Sequence, residues 1–442
     1  MAKYFGTNGV RGLFNELTPE LAMRVAQAIG MYFKKGKIIV ARDCRLTGEV
    51  LRSSVVAGLA SVGCEAVYLG IVTAPTAEFM IKKLKADGCI IITASHNPPE
   101  WNALKVVDGK GIAVSKERGE EIEKLMGKIK LVEWDRVGKI TNYEMASEEH
   151  IAEVKKYVDV EKIKQKKLKV VLDCGNGTAS VIAPKLFKEL GIEILSINAH
   201  LDGRFPGRPS EPTEKNVKEL IAGVKASAAD AGIAWDADGD RVIFVDEKGN
   251  YVIGDKVFAL SVLWKLAEKK GNVVTTVATS KAIEEIAKKN NVKVKYTAIG
   301  APYLCEKITG SNAVIGGEEV GGVIWPEISL AKDGMLTAAK LAEALCERPL
   351  SKWLLELPVY HNVKLKIEAD EGKKKKIVEK ALEYAKKNKL DFVDVDGVRV
   401  NLEDSWVIVR ASGTENYVRL FAEAKDEETA KKLAKQYEKI VK

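Results

Sequence analysis

Short apolar runs rich in β-branched residues alternate with amphipathic stretches along most of this chain, and that alternation restricts the folds open to it. Residues 38–41, 66–69 and 89–92 read as strands, and residues 19–33, 48–62 and 75–84 read as the helices between them. Thr18-Pro19-Glu20 supplies a capping hydroxyl, a proline at the first helical position and an acidic first turn. Strands that alternate with helices pair in parallel and are covered by those helices. A second series follows, with strands 169–172, 193–197 and 231–235 and helices 179–190 and 214–224. A third has helices 255–269, 281–289 and 303–308 around strands 273–277 and 293–296. After Pro358 the pattern changes to clustered strands (359–367, 392–395, 398–402, 406–409, 417–424) with helices at 371–389 and 427–442. The 442 residues therefore divide into α/β domains at 1–148, 149–245 and 246–356 and an α+β domain at 357–442.

Composition excludes several classes of function. No apolar run reaches the ~18–20 residues of a membrane span, and the first residues, MAKYFGTNGVRG, lack the apolar core of a signal peptide. Six cysteines, at 44, 64, 89, 174, 305 and 346, form no C-x-x-C pair and read as reduced core residues of a cytoplasmic protein. Four histidines do not suggest a His-rich zinc site. The net charge is +8, but most lysines share helical stretches with glutamates, as on a solvated face. The excess suits an anionic small molecule better than nucleic acid, provided some Arg and Lys converge on one cleft.

Four stretches carry chemistry. In the first, Cys89-Ile90-Ile91-Ile92 runs into Thr93-Ala94-Ser95-His96-Asn97-Pro98-Pro99. Two prolines stiffen that loop, and ligands of open α/β sheets bind at such strand ends, so the Ser95 hydroxyl is placed to meet a ligand. In the second, Asp236-Ala237-Asp238-Gly239-Asp240-Arg241 spaces three carboxylates so that a curved loop can wrap them around one hard cation. It is not an EF-hand: Arg241 stands where the calcium loop needs glycine, and both flanks read as strands. In the third, Gly316-Gly317-Glu318-Glu319-Val320-Gly321-Gly322 sets glutamates between glycines, where a carboxylate can accept from two neighbouring hydroxyls. In the fourth, Arg410-Ala411-Ser412-Gly413-Thr414-Glu415-Asn416, with Arg419 beyond, offers guanidinium, hydroxyl and backbone donors to an anion. Taken singly, each is also the composition of a plain polar, acidic or glycine-rich turn. Two glycine-rich stretches do not qualify as dinucleotide sites. Residues 5–12, FGTNGVRG, read as a loop that presents Arg11, and 175–180, GNGTAS, as a tight turn into a helix.

The string T-A-S-H-N-P-P-x-x-N-x-x-K, ending at Lys105, resembles the active-site loop of the α-D-phosphohexomutases. The other three stretches resemble that family's metal, sugar and phosphate loops and come in its order. The resemblance implies three similar α/β domains and an α+β domain around a central cleft. It implies that Ser95 carries the transferred phosphoryl group and that Mg²⁺ lies on Ser95, Asp236, Asp238 and Asp240. Arg11, His96, Lys105 and Arg241 would surround the reacting group. Glu318, Glu319 and Gly321 would meet the sugar; Arg410, Ser412, Gly413, Thr414 and Arg419 would hold the phosphate that is not reacting. The implied reaction exchanges hexose 6-phosphate and hexose 1-phosphate through a hexose 1,6-bisphosphate. Glucosamine is the first choice of sugar, with mannose or glucose as the alternative. A phosphopentose substrate, a silent sugar-phosphate sensor and a homodimer stay open. Departures from the family pattern bear on sugar choice: Val320 stands where Ser or Asn is frequent, Gly322 where many members have His, and Ala301 where an acidic residue or His is common. Ala411 and Asn416 replace two prolines of the phosphate loop.

Overall fold

The computed structural model describes residues 4–6, 9–412 and 416–442. It divides into two compact units, Met1–Ser261 with Val320–Leu354, and Val262–Glu319 with Leu355–Lys442.

The first unit holds two sheets. In the seven-stranded one, Lys37–Arg42 lies between Glu65–Ile71 and Gly88–Ile92, all parallel. Trp101–Asp108 then pairs antiparallel with Gly88–Ile92, and Gly9–Leu13 antiparallel with Trp101–Asp108. Gly88–Ile92 is buried throughout, which explains its unbroken apolar run. The helix Pro19–Tyr32 begins as its sequence predicts, the Thr18 hydroxyl accepting from the Leu21 amide at 3.2 Å. Val25, Ile29, Val55 and Leu59 from the two flanking helices pack with Ile38, Val40 and Ile90 of the strands.

In the second sheet Lys169–Asp173 lies between Glu193–Ile197 and Ala231–Trp235, parallel to both. Ala231–Trp235 turns back through residues 236–241 into antiparallel Val242–Asp246. Two expectations are corrected in this unit. Arg11 does not sit on a loop: Phe5–Gly6 and Gly9–Leu13 form a hairpin, and Arg11 pairs in register with Ala103. The glycine that permits this is Gly9, at φ +90°, where a Cβ would fall 2.0 Å from the Leu104 carbonyl oxygen. The helix expected from residue 214 begins at Lys218, because the Thr213 carbonyl accepts the Asn216 and Val217 amides in a preceding turn.

In the second unit, Asn272–Thr276 lies between Val294–Thr297 and Ala313–Gly317, all parallel. A separate five-stranded sheet, entirely antiparallel, follows the order His361–Glu368, Tyr417–Ala424, Ser405–Ala411, Val398–Asn401, Asp391–Val393. The helices Glu371–Lys387 and Glu427–Val441 accompany that sheet. The fold class is thus α/β with mixed, largely parallel sheets, followed by an α+β domain. All six cysteines are free, five of them buried. Among the described residues no helix is long and apolar enough to cross a membrane.

Candidate active site

Ser95 lies just beyond Gly88–Ile92, in a left-handed backbone conformation with φ +50°. A non-glycine residue held there stores strain, so its surroundings must over-determine it. Arg45 does much of this. Fully buried, it pairs with Asp43 at 3.0 Å and donates to the carbonyls of Ser95 and Asn97 at 2.7 Å each. It also donates to the carbonyls of Pro98 and Trp101. Asp43 accepts from the Thr93 hydroxyl at 2.7 Å, and Thr93 in turn accepts from the Ser95 amide at 3.0 Å. Ser210 donates to the His96 and Asn97 carbonyls. The loop is therefore fixed through its backbone, which leaves the Ser95 hydroxyl free of that duty.

Arg45→Lys keeps the charge and loses the fork. We expect it to lower the unfolding free energy by about 3 kcal/mol, since hydrogen bonds to a charged group contribute roughly 1.5–3 kcal/mol each. Urea denaturation measures this; unchanged stability would mean that the loop is held by something else.

The second loop turns between Ala231–Trp235 and Val242–Asp246. Asp236, Asp238 and Asp240 are buried, and one ligand atom from each lies within 4.8 Å of the others. The Ser95 hydroxyl donates to Asp236 Oδ2 at 2.8 Å, so the first and second loops meet. Asp238 Oδ1 and Asp240 Oδ1 are buried with no hydrogen-bond partner. Such stranded carboxylate oxygens are costly, and a hard cation with oxygen ligands suits them. The donor set thus fits a metal ion. Burial and the neighbouring Asp238 and Asp240 carboxylates push Asp236 well above the usual carboxyl range. Asp240 is held below it, because Lys332, Lys105 and Arg241 outweigh its burial.

Two braces hold this loop. The Ala74 amide, at the start of the helix Ala74–Leu84, donates to the Asp238 carbonyl at 2.8 Å. Thr178 donates through amide and hydroxyl to the Ala237 carbonyl. A Cβ on Gly177 would come within 2.7 Å of that same oxygen. The glycine-rich turn at residues 175–180 therefore lets two backbones approach; it supports the carboxylate loop.

Four basic side chains converge here. Lys105 Nζ lies 2.6 Å from Asp238 Oδ2 and 3.7 Å from Asp240 Oδ2. Lys332 Nζ lies 3.2 Å from Asp240 Oδ2. Arg241 Nη1 reaches Glu211 at 3.0 Å, and its Nε lies 4.0 Å and 3.8 Å from Asp236 and Asp240. Arg11 donates to the Asn97 side chain at 2.6 Å. His96 is different. Burial, then Arg241 and Arg11, push it down to about 3, so it stays neutral.

Gly321 apart, the remaining expected site residues fall in two places in the second unit. Glu318 and Glu319 follow Ala313–Gly317, and Glu319 accepts from the Thr276 hydroxyl at 3.3 Å. Burial and neighbouring Glu318 raise the Glu319 carboxyl. Gly321, in the first unit, has φ +86° and packs against the Val242 carbonyl, where a Cβ would lie 2.4 Å away. In the antiparallel sheet Arg410 and Arg419 are direct register partners, and Arg419 also pairs with Lys366. Directly opposed residues share a face, so Lys366, Arg419 and Arg410 form a row of like charge across three strands. Asp396 pairs with Arg410 Nε at 2.8 Å. Ser412 donates its amide to the Tyr417 carbonyl, and its own carbonyl accepts Lys374 Nζ. Gly413 and Thr414 lie outside the described residues.

Four models of the phosphoglucomutase/phosphomannomutase family match in order. They are alpha/beta/alpha domain I at residues 2–133, domain II at 148–249, domain III at 253–360 and the C-terminal domain at 363–440. The chain belongs to the phosphoglucomutase/phosphomannomutase family. A phosphoglucomutase/phosphomannomutase of Thermococcus kodakarensis is 41% identical, the match covering 98% of this chain and 96% of that one. A probable phosphoglucosamine mutase of Methanopyrus kandleri is 40% identical, covering 100% and 98%. Among solved structures, a phosphoglucomutase/phosphomannomutase family protein from Burkholderia thailandensis superimposes with TM-score 0.87 at 25% identity, covering 98% of this chain and 96% of that one.

For a member of this family, the four motifs leave out residues that the geometry brings in. Arg45, Glu211 and Lys332 each reach a motif residue from outside the motifs, and Lys366 is the register partner of Arg419. Asp43-x-Arg45 at a strand end was a usable signal; the others had none. Glu78 is a fifth. Burial pushes it up to about 8, against the pull of Lys105. Unfolded, it would ionise near 4.5, so stability is lost as pH rises from there towards 8. Glu78→Gln should therefore raise Tm more at about pH 8 than at about pH 5. Calorimetry at both values checks this, and equal shifts would mean that Glu78 is ionised in the fold.

Proposed function

We propose that this enzyme moves a phosphoryl group reversibly between O6 and O1 of a hexose phosphate, with glucosamine 6-phosphate and glucosamine 1-phosphate as the preferred pair. The observation that carries the reading is the 2.8 Å hydrogen bond from Ser95 to a buried carboxylate of a three-aspartate loop. A nucleophilic hydroxyl and a cation site then share one place. The name of the Methanopyrus relative supports glucosamine. The name of the Thermococcus relative supports mannose and glucose as the second reading.

In this mechanism phosphorylated Ser95 gives its phosphoryl group to the free hydroxyl of the bound sugar phosphate. The Ser95 oxygen–phosphorus bond breaks, a sugar oxygen–phosphorus bond forms, and the sugar hydroxyl loses a proton as the serine oxygen gains one. The hexose 1,6-bisphosphate turns over, and Ser95 takes back the other phosphoryl group. Mg²⁺ held by Ser95, Asp236, Asp238 and Asp240 would draw negative charge from the transferring group. Lys105, Arg11 and Arg241 bring fixed positive charge to the same place. Neutral His96 serves as a hydrogen-bonding group and not as a cation. Arg410, Arg419, Ser412, Gly413 and Thr414 hold the phosphate that is not reacting, while Glu318, Glu319 and Gly321 meet sugar hydroxyls. Domains divided near residues 148, 245 and 356 and a cytoplasmic location belong to the same reading.

The test is a panel of glucosamine 6-phosphate, mannose 1-phosphate, glucose 1-phosphate and a pentose phosphate, each with Mg²⁺ and a trace of its bisphosphate. The highest kcat/KM is expected on glucosamine. A higher value on mannose or glucose moves the assignment to the second reading. Binding without turnover of any of them would overturn the mutase reading in favour of a sensor.

A further inference from the structure

Gly322 and Lys332 explain each other. A Cβ on Gly322 would lie 2.4 Å from Lys332 Cδ and 3.2 Å from its Cγ. The space that a side chain at position 322 would occupy is filled by the alkyl chain of Lys332. That chain ends with its ammonium 3.2 Å from Asp240 Oδ2. The loop between the two residues is pinned at its neck by a bridge between Ile324 and Lys332 and by the Asp333 amide, which donates to the Val323 carbonyl at 2.7 Å. Asp333 then caps the helix Gly334–Leu345, accepting from the amides of Met335 and Leu336. Lys332 thus extends from a rigid point.

We propose that Lys332, housed in the slot left by Gly322, is a positioning residue for the cation site. The proposal rests on the mutase reading only for its kinetic consequence. The argument is geometric. Lys332 and Lys105 both approach Oδ2 of Asp240, and Lys105 also holds Oδ2 of Asp238. In both aspartates Oδ1 is left buried and without a hydrogen-bond partner. Each lysine therefore ties one oxygen of a carboxylate and leaves the other for a cation. Charge supports the same role. Lys332 adds its positive charge to those of Lys105 and Arg241 beside the three carboxylates.

The test is direct titration of the full chain with Mn²⁺, free metal being read by electron paramagnetic resonance. Lys332→Met keeps the alkyl length and removes the ammonium. It should weaken Mn²⁺ binding about tenfold, the loss usual when a metal ligand is deprived of the group that orients it, while Tm stays near that of the unaltered protein. Gly322→Ala should weaken binding by a similar factor, because the new Cβ expels the lysine chain. In a Lys332→Ala background the same Gly322→Ala change should cost nothing further, since the slot is then empty. In the mutase assay, lost activity should return as Mg²⁺ is raised. Unchanged or tighter Mn²⁺ binding by Lys332→Met, or additive losses in the double variant, would overturn the proposal. Should the unaltered protein turn over no sugar phosphate, the mutase reading falls, and the Mn²⁺ titration still decides the role of Lys332.

Discussion

Ser95→Ala is expected to abolish conversion of hexose 6-phosphate to hexose 1-phosphate while leaving the fold and the three aspartates in place. Loss of a nucleophile costs a factor on the order of 10⁴ or more in kcat. The structure says why the damage should stay local. The loop is held by Arg45, Thr93 and Ser210 through backbone groups, none of which involves the Ser95 hydroxyl. Serine and alanine both carry a Cβ, so the strain at φ +50° is much the same in either. The substitution removes the 2.8 Å hydrogen bond to Asp236, whose Oδ1 still accepts from the Arg241 amide. Binding of a sugar phosphate, measured by calorimetry, should therefore fall little. Mass spectrometry of the unaltered protein should find phosphate on the peptide containing Ser95. An alanine variant that keeps near-normal turnover would end the phosphoserine mechanism.

What the sequence could say about this site follows from how local each feature is. The run at residues 89–92 is apolar on both faces because the strand is buried, and burial is written in the residues themselves. Thr18-Pro19-Glu20 marks a helix start because a cap is made by neighbours. The three aspartates are spaced two apart on one turn, so their convergence needs no distant partner. Arg11 was harder. Its stretch looks like a glycine loop until it is laid beside Trp101–Asp108, and only then does Gly9 show its purpose against the Leu104 carbonyl. Lys332 was beyond reach. Its role depends on the space at position 322 and on a carboxylate at 240, and no local pattern links the three. The same holds for Lys366, which is one of many lysines until strand register sets it beside Arg419.

That register leads to the other large effect. Lys366, Arg419 and Arg410 stand in one row across three antiparallel strands. Like charges directly opposite one another are destabilising, and Asp396 contacts Arg410 at 2.8 Å. An anion seated over the row would remove the penalty, which is what a phosphate clamp supplies. If Arg410 and Arg419 hold the phosphate that is not reacting, each contributes charge-assisted hydrogen bonds of roughly 1.5–3 kcal/mol. Arg419→Ala should then weaken substrate binding by about one to two decades. Because that remote contact also sets O1 or O6 against Ser95, kcat should fall as well as 1/KM. Arg410→Lys should recover only part of the loss, since an ammonium cannot make the two-pronged contact of a guanidinium. Removing a like charge from the row should at the same time leave the unliganded protein as stable as before or slightly more so. Measured together, kcat/KM and Tm distinguish a clamp from a structural arginine: the first predicts reduced activity with Tm held, the second predicts a fall in both. If Arg410→Lys and Arg419→Ala both stay within about twofold of the unaltered kcat/KM, the phosphate is held elsewhere and this sheet carries no clamp.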